Sequence, residues 1–472
     1  MDSLSSPVEM FFFPFVGGGH QIPMIDMARM FAAHGAKSTI VATPNHALYF
    51  QESILRDQQS GRRIFIETLA LLDNTDLSNT DMTASALTDT SMLQEPLTKL
   101  LLRRRPDCIV HDMFHHWAVG AIDNLELDIA RIVFNGNGCF ASCIRYNVTK
   151  FRPHETVDSK YEPFVVPDLP DRIELTPSQL PAPAFQFVEE NMLKATDNCY
   201  GVAVNSFYEL EPAYVEQSKK GYKAWIVGPV SLYNRSIADK TEHGKKAAID
   251  EQSILSWLHS KQPNSVLYIS FGSVGRLAPE QIVEIAYGLQ ASNQPFIWVV
   301  GNVFKGEGTW FPSGFEEKMK ESEQGLIING WAPQLLILEH GSIGGFVTHC
   351  GWNSVLEGLS CGVPMITWPM FADQFYNEKL VTDVLKVGVK VGSLDWLTWN
   401  MEGQRTVGRD KVEAAVKRLM GGGEESVEMR NNARVVGEMA KKAVGEGGSS
   451  YKDAIGLINE LEDRRKRTRS DV

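Results

Sequence analysis

The chain lacks the features that mark secreted and disulfide-rich proteins. Its 472 residues include six cysteines, and none of them forms a Cys-x-x-Cys pair. Sparse thiols of this kind are typical of a reduced, cytosolic protein. The N-terminus carries Asp2 and Glu9 where a secretory signal would have a basic region, and Pro14 interrupts the apolar run that follows. No signal peptide is therefore predicted.

Long apolar runs and net positive charge are also missing. No stretch approaches the roughly 20 apolar residues that a membrane span needs. The formal net charge of −12 argues against nucleic acid as the main partner. With 43% hydrophobic and 22% charged residues, the composition is that of an ordinary globular protein. We expect a cytoplasmic protein with no membrane span and no nucleic-acid partner.

Short apolar runs alternate with amphipathic segments in both halves of the chain. This pattern is typical of parallel sheets flanked by helices. We predict an α/β fold of two doubly wound, Rossmann-like domains that face each other across a cleft. The predicted N-terminal domain is 1–240 and the C-terminal domain 253–449, with a polar linker at 231–252. The segment 450–472, a C-terminal helix of about 450–462 followed by a basic tail, is expected to pack back on the N-terminal domain.

Residues 331–374 are the most informative part of the chain. Within them, the apolar stretch 345–350 is bounded by glycines and predicts a buried strand. Gly351 ends this strand, and Asn353 and Ser354 are good N-cap residues for a helix that follows. A helix N-terminus has unpaired N–H groups and a partial positive charge, so it binds anions such as a diphosphate.

Side chains suited to the rest of a nucleotide sugar lie in the same stretch. Trp331 offers a flat face for a base, and such stacking contributes roughly 1–3 kcal/mol. Glu357, one turn into the predicted helix, can accept hydrogen bonds from ribose hydroxyls. Asp373 and Gln374 are predicted to face the sugar, because they follow the next predicted strand, at the strand end where open α/β sheets bind ligands. Each residue alone is usually structural, but the set indicates a nucleotide-sugar pocket.

This stretch resembles the signature box of plant UDP-dependent glycosyltransferases over 44 positions without a gap. The resemblance continues through His20, Asp112 and 271–273, and so covers nearly the whole chain. It implies the GT-B architecture and a transferase that uses a UDP-sugar as co-substrate, with no metal and no cofactor. Three phrases are more narrowly similar to legume triterpenoid saponin glycosyltransferases, at 17–23, 131–138 and 169–175.

The resemblance also implies which residues contact the donor. Ser273 would touch the diphosphate, while the Ala332 backbone and Gln334 would serve uracil and ribose. His349 and Trp352 would border the phosphate and the sugar. The predicted donor set is Ser273, Trp331, Ala332, Gln334, His349, Gly351, Trp352, Asn353, Ser354, Glu357, Asp373 and Gln374.

Transfer to a hydroxyl needs a base, which typically contributes ~10²–10⁴-fold. His20 follows the first predicted strand and Asp112 ends a later one, so a parallel sheet can bring them together. A carboxylate behind an imidazole fixes its tautomer and stabilises the imidazolium. In the resembled family these positions are base and partner, and the displacement inverts the anomeric carbon. His111, His115 and His116 lack zinc-ligand spacing on a strand. The last two either line the acceptor pocket or cap the next helix, and we expect the cap.

The donor sugar and the acceptor are less constrained. Gln374 at the last box position resembles glucose users, and galactose and glucuronic acid stay open. Arg29 can bind a uronate carboxylate bidentately, while pairing with Asp26 on an exposed helix face is the structural alternative. We expect a monomer that acts on a hydrophobic plant metabolite, first a triterpenoid, sapogenin or its glycoside, and second a flavonoid or other phenolic. The acceptor loops are predicted at 73–92, 136–150 and 179–200.

Two other classes of protein fit parts of the sequence. A dehydrogenase is suggested by the glycines at 17–19, which follow a strand. Ile22, however, stands where the dinucleotide fingerprint has its third glycine, and no acidic residue lies between Asp26 and Glu52. A non-catalytic UDP-sugar-binding protein would keep the pocket but normally lose the base. Both members of the predicted catalytic pair are present, so the sequence favours an enzyme.

Overall fold

The computed structural model describes residues 6–69, 87–182, 185–273, 275, 277–300, 310–397 and 405–470. The chain forms two compact units, and it passes between them more than once. The first unit comprises Met1–Gly138, Phe185–Asn234 and Lys442–Val472. The second comprises Cys139–Ala184 and Arg235–Lys441. Residues 139–184 are thus grouped with the second unit, whereas the sequence placed them in the N-terminal domain.

The strands are short, and most of their residues are buried. In chain order they are β1 (Glu9–Phe13), β2 (Lys37–Ala42), β3 (Ile64–Thr68), β4 (Cys108–Asp112), β5 (Ala130–Asn135), β6 (Phe164–Val165), β7 (Glu174–Leu175), β8 (Gly201–Val204), β9 (Ala224–Ile226), β10 (Val266–Ser270), β11 (Phe296–Val299), β12 (Gly325–Ile328), β13 (Ile343–Thr348), β14 (Met365–Thr367) and β15 (Gly388–Lys390).

The helices alternate with the strands of both units. In chain order they are α1 (Gly18–Ala33), α2 (Pro44–Ala47), α3 (Gln51–Gln59), α4 (Gln94–Arg104), α5 (Ala118–Asp123), α6 (Cys139–Phe151), α7 (Gln186–Thr196), α8 (Pro212–Lys219), α9 (Ile237–Thr241), α10 (Glu251–His259), α11 (Pro279–Ser292), α12 (Phe315–Glu321), α13 (Gln334–Leu338), α14 (Trp352–Ser360), α15 (Gln374–Lys379), α16 (Arg409–Met420), α17 (Glu424–Val444) and α18 (Ser449–Ser470).

The first unit contains a seven-stranded parallel sheet in the order β3-β2-β1-β4-β5-β8-β9. Successive side chains of a strand point to opposite faces. Accordingly, Phe12 packs with Ile40 in one apolar core, and Phe11 and Phe13 pack with Val41 in another. Covering both faces with helices explains why these strands are almost wholly apolar. β1 and β4 are neighbours, so their carboxyl ends lie at the same edge.

The second unit contains a six-stranded parallel sheet in the order β12-β11-β10-β13-β14-β15. Its core includes Ile269, Trp298 and Val347, with Leu419 from α16. A separate antiparallel pair, β6 with β7, lies in the 139–184 segment. The order places β10, β13 and β14 side by side, so the loops that follow these three strands share one edge.

The predicted rhythm of strands is confirmed, and the structure adds details that the pattern did not predict. β3, β6 and β7 were not predicted. The region expected to be a polar linker contains α9, whose N-cap Ser236 accepts a hydrogen bond from the Asp239 N–H. The unit boundary at Asn234 falls within that region.

The C-terminal helix packs in the first unit. Ala454, Leu457 and Leu461 of α18 belong to the same apolar core as β1. The helix was expected to end near Glu462 but continues to Ser470. Two arginines past the expected end form ion pairs: Arg464 with Asp128, and Arg465 with Asp107 at 3.4 Å. No helix within the described ranges is long and apolar enough to cross a membrane.

Candidate active site

His20 and Asp112 meet at the shared edge of β1 and β4. The registered pair Phe13–His111 aligns the two strand ends, so the next residue of β4, Asp112, lies beside the turn into α1. His20 occupies the first turn of α1. Its Nδ1 lies 2.8 Å from Oδ2 of Asp112. The His20 side chain is 20% exposed and Asp112 is fully buried.

The surroundings of Asp112 determine which nitrogen of His20 carries the proton. Its other oxygen, Oδ1, accepts a hydrogen bond from the Phe114 N–H at 2.9 Å. A carboxylate oxygen accepts, so Nδ1 of His20 donates to it and Nε2 is left with a lone pair. Nε2 has no hydrogen-bond partner in the part of the chain that the structure describes. This pair can therefore take a proton from a group that reaches Nε2.

Close packing fixes the position of the His20 ring. The ring centroid lies 4.5 Å from that of Phe114 and 6.2 Å from that of Phe15. On another side is the backbone of Gly136, where an added Cβ would lie only 2.6 Å from Cε1 of the imidazole. Only glycine allows the backbone to approach the ring so closely. The sequence placed Gly136 at the start of the acceptor loop 136–150 but did not predict its contact with His20.

His115 binds the end of β1 and does not cap the next helix. His115 is buried, and its Nε2 donates to the Pro14 carbonyl at 3.1 Å. The Thr90 hydroxyl donates to Nδ1 at 2.9 Å and accepts from Nε1–H of Trp117 at 3.0 Å. Burial lowers the pKa of His115 to about 4, so the ring is neutral. It ties the end of β1 to the loop after β4, and the predicted capping role is wrong for His115.

In the second unit, a sharp turn joins β13 to α14. Cys350 adopts a left-handed conformation with φ of +65°, and Gly351 is the N-cap. The helix therefore begins at Trp352, and the predicted N-caps Asn353 and Ser354 lie in its first turn. That prediction is wrong because the chain reverses within two residues of the strand. Gly351 has no side chain with which to cap the first N–H groups, which leaves them suited to an anion.

His349 fills the space between two glycines. An added Cβ would lie 2.6 Å from His349 Cε1 at Gly272 and 2.5 Å from Nε2 at Gly351. Gly272 also has a φ of +75°, so both the space and the backbone favour glycine there. Burial lowers the pKa of His349 to about 4, and its Nδ1 has no partner among the described residues. Ser273 follows Gly272 in an exposed turn after β10.

A partly buried hydrogen-bond network connects α13 to α14. Nε2 of Gln334 donates to Glu357 Oε2 at 2.7 Å and to Ser354 Oγ at 3.2 Å. The Tyr268 hydroxyl donates to Oε1 of Gln334 at 3.4 Å, and burial raises the pKa of this tyrosine. The structure thus brings together three predicted donor residues, and it adds Tyr268.

Trp331 and Ala332 lie between β12 and α13. Trp331 is half-buried and Ala332 is buried. The carbonyl of Trp331 accepts from the Ala248 N–H at 2.8 Å. Nε1 of Trp331 is buried and has no hydrogen-bond partner in the described residues. Trp352, also in the predicted set, is buried at the start of α14.

The predicted sugar-facing pair lies at the start of α15. Oε1 of Gln374 accepts from the N–H groups of Met370 and Phe371, at 2.9 and 3.0 Å. This fixes the orientation of the amide, because Oε1 is engaged and the NH₂ group remains a donor. Asp373 is the N-cap of α15 and is also mostly buried.

Asn377 connects this pair to the turn before α14. Its Nδ2 donates to Asp373 Oδ2 at 2.8 Å and to the Cys350 carbonyl at 2.9 Å. The ends of β13 and β14 are therefore held together by one buried amide. Sequence reasoning missed Asn377, although its place one turn after Asp373 could have indicated the contact.

Known proteins resemble the chain over nearly its whole length. Residues 227–404 match the family model for UDP-glucoronosyl and UDP-glucosyl transferases. Abscisate beta-glucosyltransferase of Phaseolus angularis is 54% identical over 483 residues, which covers 98% of this chain and 99% of that protein. The chain belongs to the plant UDP-glycosyltransferase family.

Two further similarities extend over nearly the whole glycosyltransferase. Anthocyanin 3'-O-beta-glucosyltransferase of Gentiana triflora is 44% identical, covering 96% of this chain and 98% of that protein. The crystal structure of a Glycyrrhiza uralensis protein complexed with glycyrrhetinic acid 3-O-monoglucuronide has a TM-score of 0.92 and 41% identity, covering 98% of each chain. The predicted transferase activity and the GT-B fold of two parallel-sheet α/β domains are confirmed.

Arg29 of this glycosyltransferase has a structural role. It is buried, and its Nε donates to Asp57 Oδ2 at 2.6 Å while Nη2 donates to Oδ1 at 3.3 Å. Its Nη1 donates to the side chain of Asn234. The expected exposed helix face is wrong for this residue, and its guanidinium is engaged inside the first unit. This geometry removes the support that Arg29 gave to a uronate donor.

Three further predictions concern a metal site, the acceptor loops and a cofactor. Within the described ranges, no group of three or more His, Cys, Asp or Glu side chains is arranged to hold a metal ion. Most of the predicted acceptor loop 73–92 lies outside the described residues, as does a part of 179–200. The absence of a cofactor stays a prediction.

Proposed function

We propose that this glycosyltransferase moves glucose from UDP-glucose to a hydroxyl of a small apolar plant metabolite, with inversion at the anomeric carbon. The observation that carries the proposal is the His20–Asp112 pair, in which a buried carboxylate fixes Nδ1–H. Nε2 of His20 is the base. A positioned base is expected to contribute roughly 10²–10⁴-fold to the transfer step.

The proposed reaction is a single displacement. Nε2 of His20 takes the proton of the acceptor hydroxyl as its oxygen bonds to the anomeric carbon. The bond from that carbon to the UDP oxygen breaks, and UDP leaves with the electron pair. Attack from the face opposite the leaving group converts an α-linked donor into a β-glucoside. Asp112 stabilises the imidazolium that forms.

The second unit is proposed to bind the donor. The N–H groups at the start of α14, together with Ser273, hold the diphosphate, because that helix end carries a partial positive charge. His349, neutral at physiological pH, borders it as a hydrogen-bonding group without adding charge. Since these groups can compensate the leaving diphosphate, we expect chelation of metals with EDTA to leave the rate unchanged.

The nucleoside is assigned to the α13–α14 network. Trp331 stacks on uracil, and Glu357 accepts from the ribose hydroxyls once Gln334 releases it. Glu357→Ala is expected to weaken UDP binding about tenfold, since hydrogen bonds to a charged group contribute roughly 1.5–3 kcal/mol. Calorimetric titration with UDP measures this, and an unchanged affinity would remove Glu357 from the ribose site.

Glucose is the preferred donor in this proposal. The Gln374 amide has its oxygen engaged by the backbone and its NH₂ group available to a sugar hydroxyl. The curated relatives from Phaseolus angularis and Gentiana triflora are both named as glucosyltransferases. Galactose and glucuronic acid are the alternatives, and glucuronic acid has no support from Arg29.

A triterpenoid or sapogenin is the first acceptor class that we propose. The Glycyrrhiza uralensis structure, with a TM-score of 0.92, is complexed with a triterpenoid glycoside. Abscisate is the second candidate, because the Phaseolus angularis enzyme that is 54% identical carries that activity in its name. A flavonoid is the third, from the Gentiana triflora relative.

The abscisate alternative has a distinct mechanistic signature. A carboxylic acid with a pKa near 4 is already ionised at neutral pH and needs no base to become a nucleophile. His20→Ala should therefore slow transfer to a hydroxyl much more than transfer to a carboxylate. Equal losses with both acceptors would count against the base role.

The test is a transfer assay that crosses three donors with matched acceptors. UDP-glucose, UDP-galactose and UDP-glucuronate are each supplied with a triterpenoid alcohol, abscisate and a flavonol, and products are detected by mass spectrometry. We expect UDP-glucose and the triterpenoid to give the largest kcat/KM, with a β-configured product by NMR. Binding of UDP-sugars without release of UDP would instead favour a non-catalytic binding protein.

A further inference from the structure

A short segment after β15, residues 393–397, holds the loop that carries the sugar-facing pair. The Ser393 hydroxyl donates to the Pro369 carbonyl at 2.8 Å, and the Leu397 N–H donates to the Met370 carbonyl at 2.6 Å. Nε1–H of Trp396 donates to the Ala372 carbonyl at 3.3 Å. Three carbonyls of the loop that precedes Asp373 and Gln374 are thus bound by one segment.

The loop has an unusual backbone at the point where Trp396 binds it. Ala372 has a φ of +52°, in the left-handed region that non-glycine residues rarely adopt. Such a conformation persists when surrounding contacts determine it. The Trp396 hydrogen bond to the carbonyl of Ala372 is one of these contacts, and the residues that follow are the sugar-facing pair.

The position of the Gln374 amide depends on the same loop. Its Oε1 is fixed by the N–H groups of Met370 and Phe371. A shift of that backbone therefore moves the NH₂ donor with it. Segment 393–397 is itself anchored to Ser178. The backbone N–H of Trp396 donates to the Ser178 carbonyl at 2.7 Å, and the Ser178 hydroxyl donates to the Leu394 carbonyl at 2.8 Å.

We propose that Trp396 is a positioning residue that sets the donor-sugar preference through the Ala372 carbonyl. The inference rests on the proposed function, in which the Gln374 amide faces the sugar. Glucose and galactose differ only in the orientation of one hydroxyl. A site discriminates such a pair when its hydrogen-bonding groups are held within about 0.5 Å of the productive geometry.

The matched variants are Trp396→Phe, which removes the N–H but keeps an aromatic ring, and Ser393→Ala, which removes a neighbouring contact to the loop. Trp257→Phe is the control, since Trp257 is a partly exposed tryptophan on α10 whose ring lies under the Lys261 ammonium. All three changes are mild, and Trp396 is itself only partly buried, so we expect folded proteins.

Calorimetry measures the dissociation constants of UDP, UDP-glucose and UDP-galactose for each full-length variant. This binding measurement needs no acceptor. Absence of sugar transfer would contradict the proposed function, but the dissociation constants would still test the role of Trp396. In Trp396→Phe we expect the parent's preference between the two sugars to shrink at least fivefold, with UDP affinity within twofold. Ser393→Ala should act in the same direction, and Trp257→Phe should match the parent.

A parent that binds both sugars equally would overturn the proposal. So would a preference within twofold of the parent's in Trp396→Phe, or a loss of UDP affinity as large as the loss of preference. The last result would describe a damaged site rather than a misplaced sugar contact.

Discussion

Nδ1 of His20 donates to Oδ2 of Asp112 at 2.8 Å, although 92 positions separate the two residues in the chain. The contact exists because β1 and β4 are adjacent parallel strands with aligned carboxyl ends. The second carboxylate oxygen is held by the Phe114 N–H, so the carboxylate cannot rotate without losing a bond. The imidazole is thereby held in the tautomer that leaves Nε2 able to accept a proton.

Replacing the carboxylate by an amide tests this tautomer. In Asp112→Asn, the amide oxygen can still accept from Phe114, which turns the NH₂ group toward Nδ1 of His20. The imidazole then carries its proton on Nε2 and cannot act as a base. We expect kcat with a triterpenoid alcohol to fall roughly 10²-fold or more, while the melting temperature and the UDP affinity stay near those of the parent. A kcat within threefold of the parent would contradict the assignment.

Gly136→Ala tests the packing of the same ring. The added methyl group would lie 2.6 Å from Cε1 of His20, so the ring or the backbone at 136 must shift, which disturbs the contact between His20 and Asp112. We expect kcat/KM to fall about 10- to 100-fold, because small displacements of a catalytic group are costly. Gly120→Ala on α5 is the control, since its methyl group would meet only Asn124 Nδ2 at 3.8 Å. Similar activity losses in both variants would show that the His20 contact is not the cause.

His115→Phe tests the hydrogen bonds that the neutral His115 ring makes near the His20–Asp112 pair. The ring can still stack on Phe13, but the Pro14 carbonyl and the Thr90 hydroxyl lose a partner. We expect the free energy of unfolding at pH 7 to drop by about 1–3 kcal/mol. Urea denaturation followed by tryptophan fluorescence measures it.

The difference in the free energy of unfolding between the parent and His115→Phe is expected to depend on pH. Burial lowers the pKa of folded His115 to about 4, against 6.5 for the ordinary side chain. The unfolded chain therefore binds the extra proton first, and the parent loses this residue's stabilising contribution as the pH falls from 6.5 toward 4. The gap between parent and His115→Phe should narrow over that range. A gap that is constant or widens would show that His115 is not neutral in the fold.

Glu378 is expected to behave in the opposite way. It is buried under β14, where the Thr367 hydroxyl donates to it at 2.7 Å, and burial raises its pKa to about 7. The folded state holds this proton longer than the unfolded chain, so stability falls as the pH rises from 4.5 through 7. Glu378→Gln should match the parent at pH 4.5 and exceed it by about 1–3 kcal/mol at pH 8.5. Urea denaturation at both pH values measures this, and equal stability at pH 8.5 would contradict it.

The fold class was predictable because the spacing and the composition of the apolar runs indicate buried parallel strands. Apolar runs such as 108–110 and 365–367 correspond to β4 and β14, since strands buried on both faces must be apolar throughout. β3 was missed because the polar Glu67 and Thr68 limit its apolar run to three residues. The grouping of 139–184 with the second unit depends on tertiary contacts, including Ser178 with Leu394, that no local pattern encodes.

The site was predictable where residue type alone limits the chemistry. His20, Asp112 and Glu357 could be proposed because few other residue types supply a base or a carboxylate, whereas Gln334 was proposed only from the family resemblance. Gly136 could not be proposed from the sequence, because glycine is required there only by the close approach of the His20 ring from another element.

Network partners were missed for a similar reason. Tyr268, Asn377 and Trp396 act through bonds to other site residues, and their local sequence resembles that of ordinary strand, helix and loop. The N-cap of α14 was misplaced because the left-handed Cys350 shortens the turn, and a non-glycine residue with positive φ is not expected from sequence.

The most direct test of the central claim compares His20→Ala with the parent on two readouts. One is kcat with UDP-glucose and a triterpenoid alcohol, and the other is the dissociation constant of UDP. If Nε2 of His20 is the base, kcat falls by about 10²–10⁴-fold and UDP affinity stays within twofold. A variant that keeps more than a tenth of the parent's kcat, or one that loses UDP binding to the same degree as activity, would contradict the account.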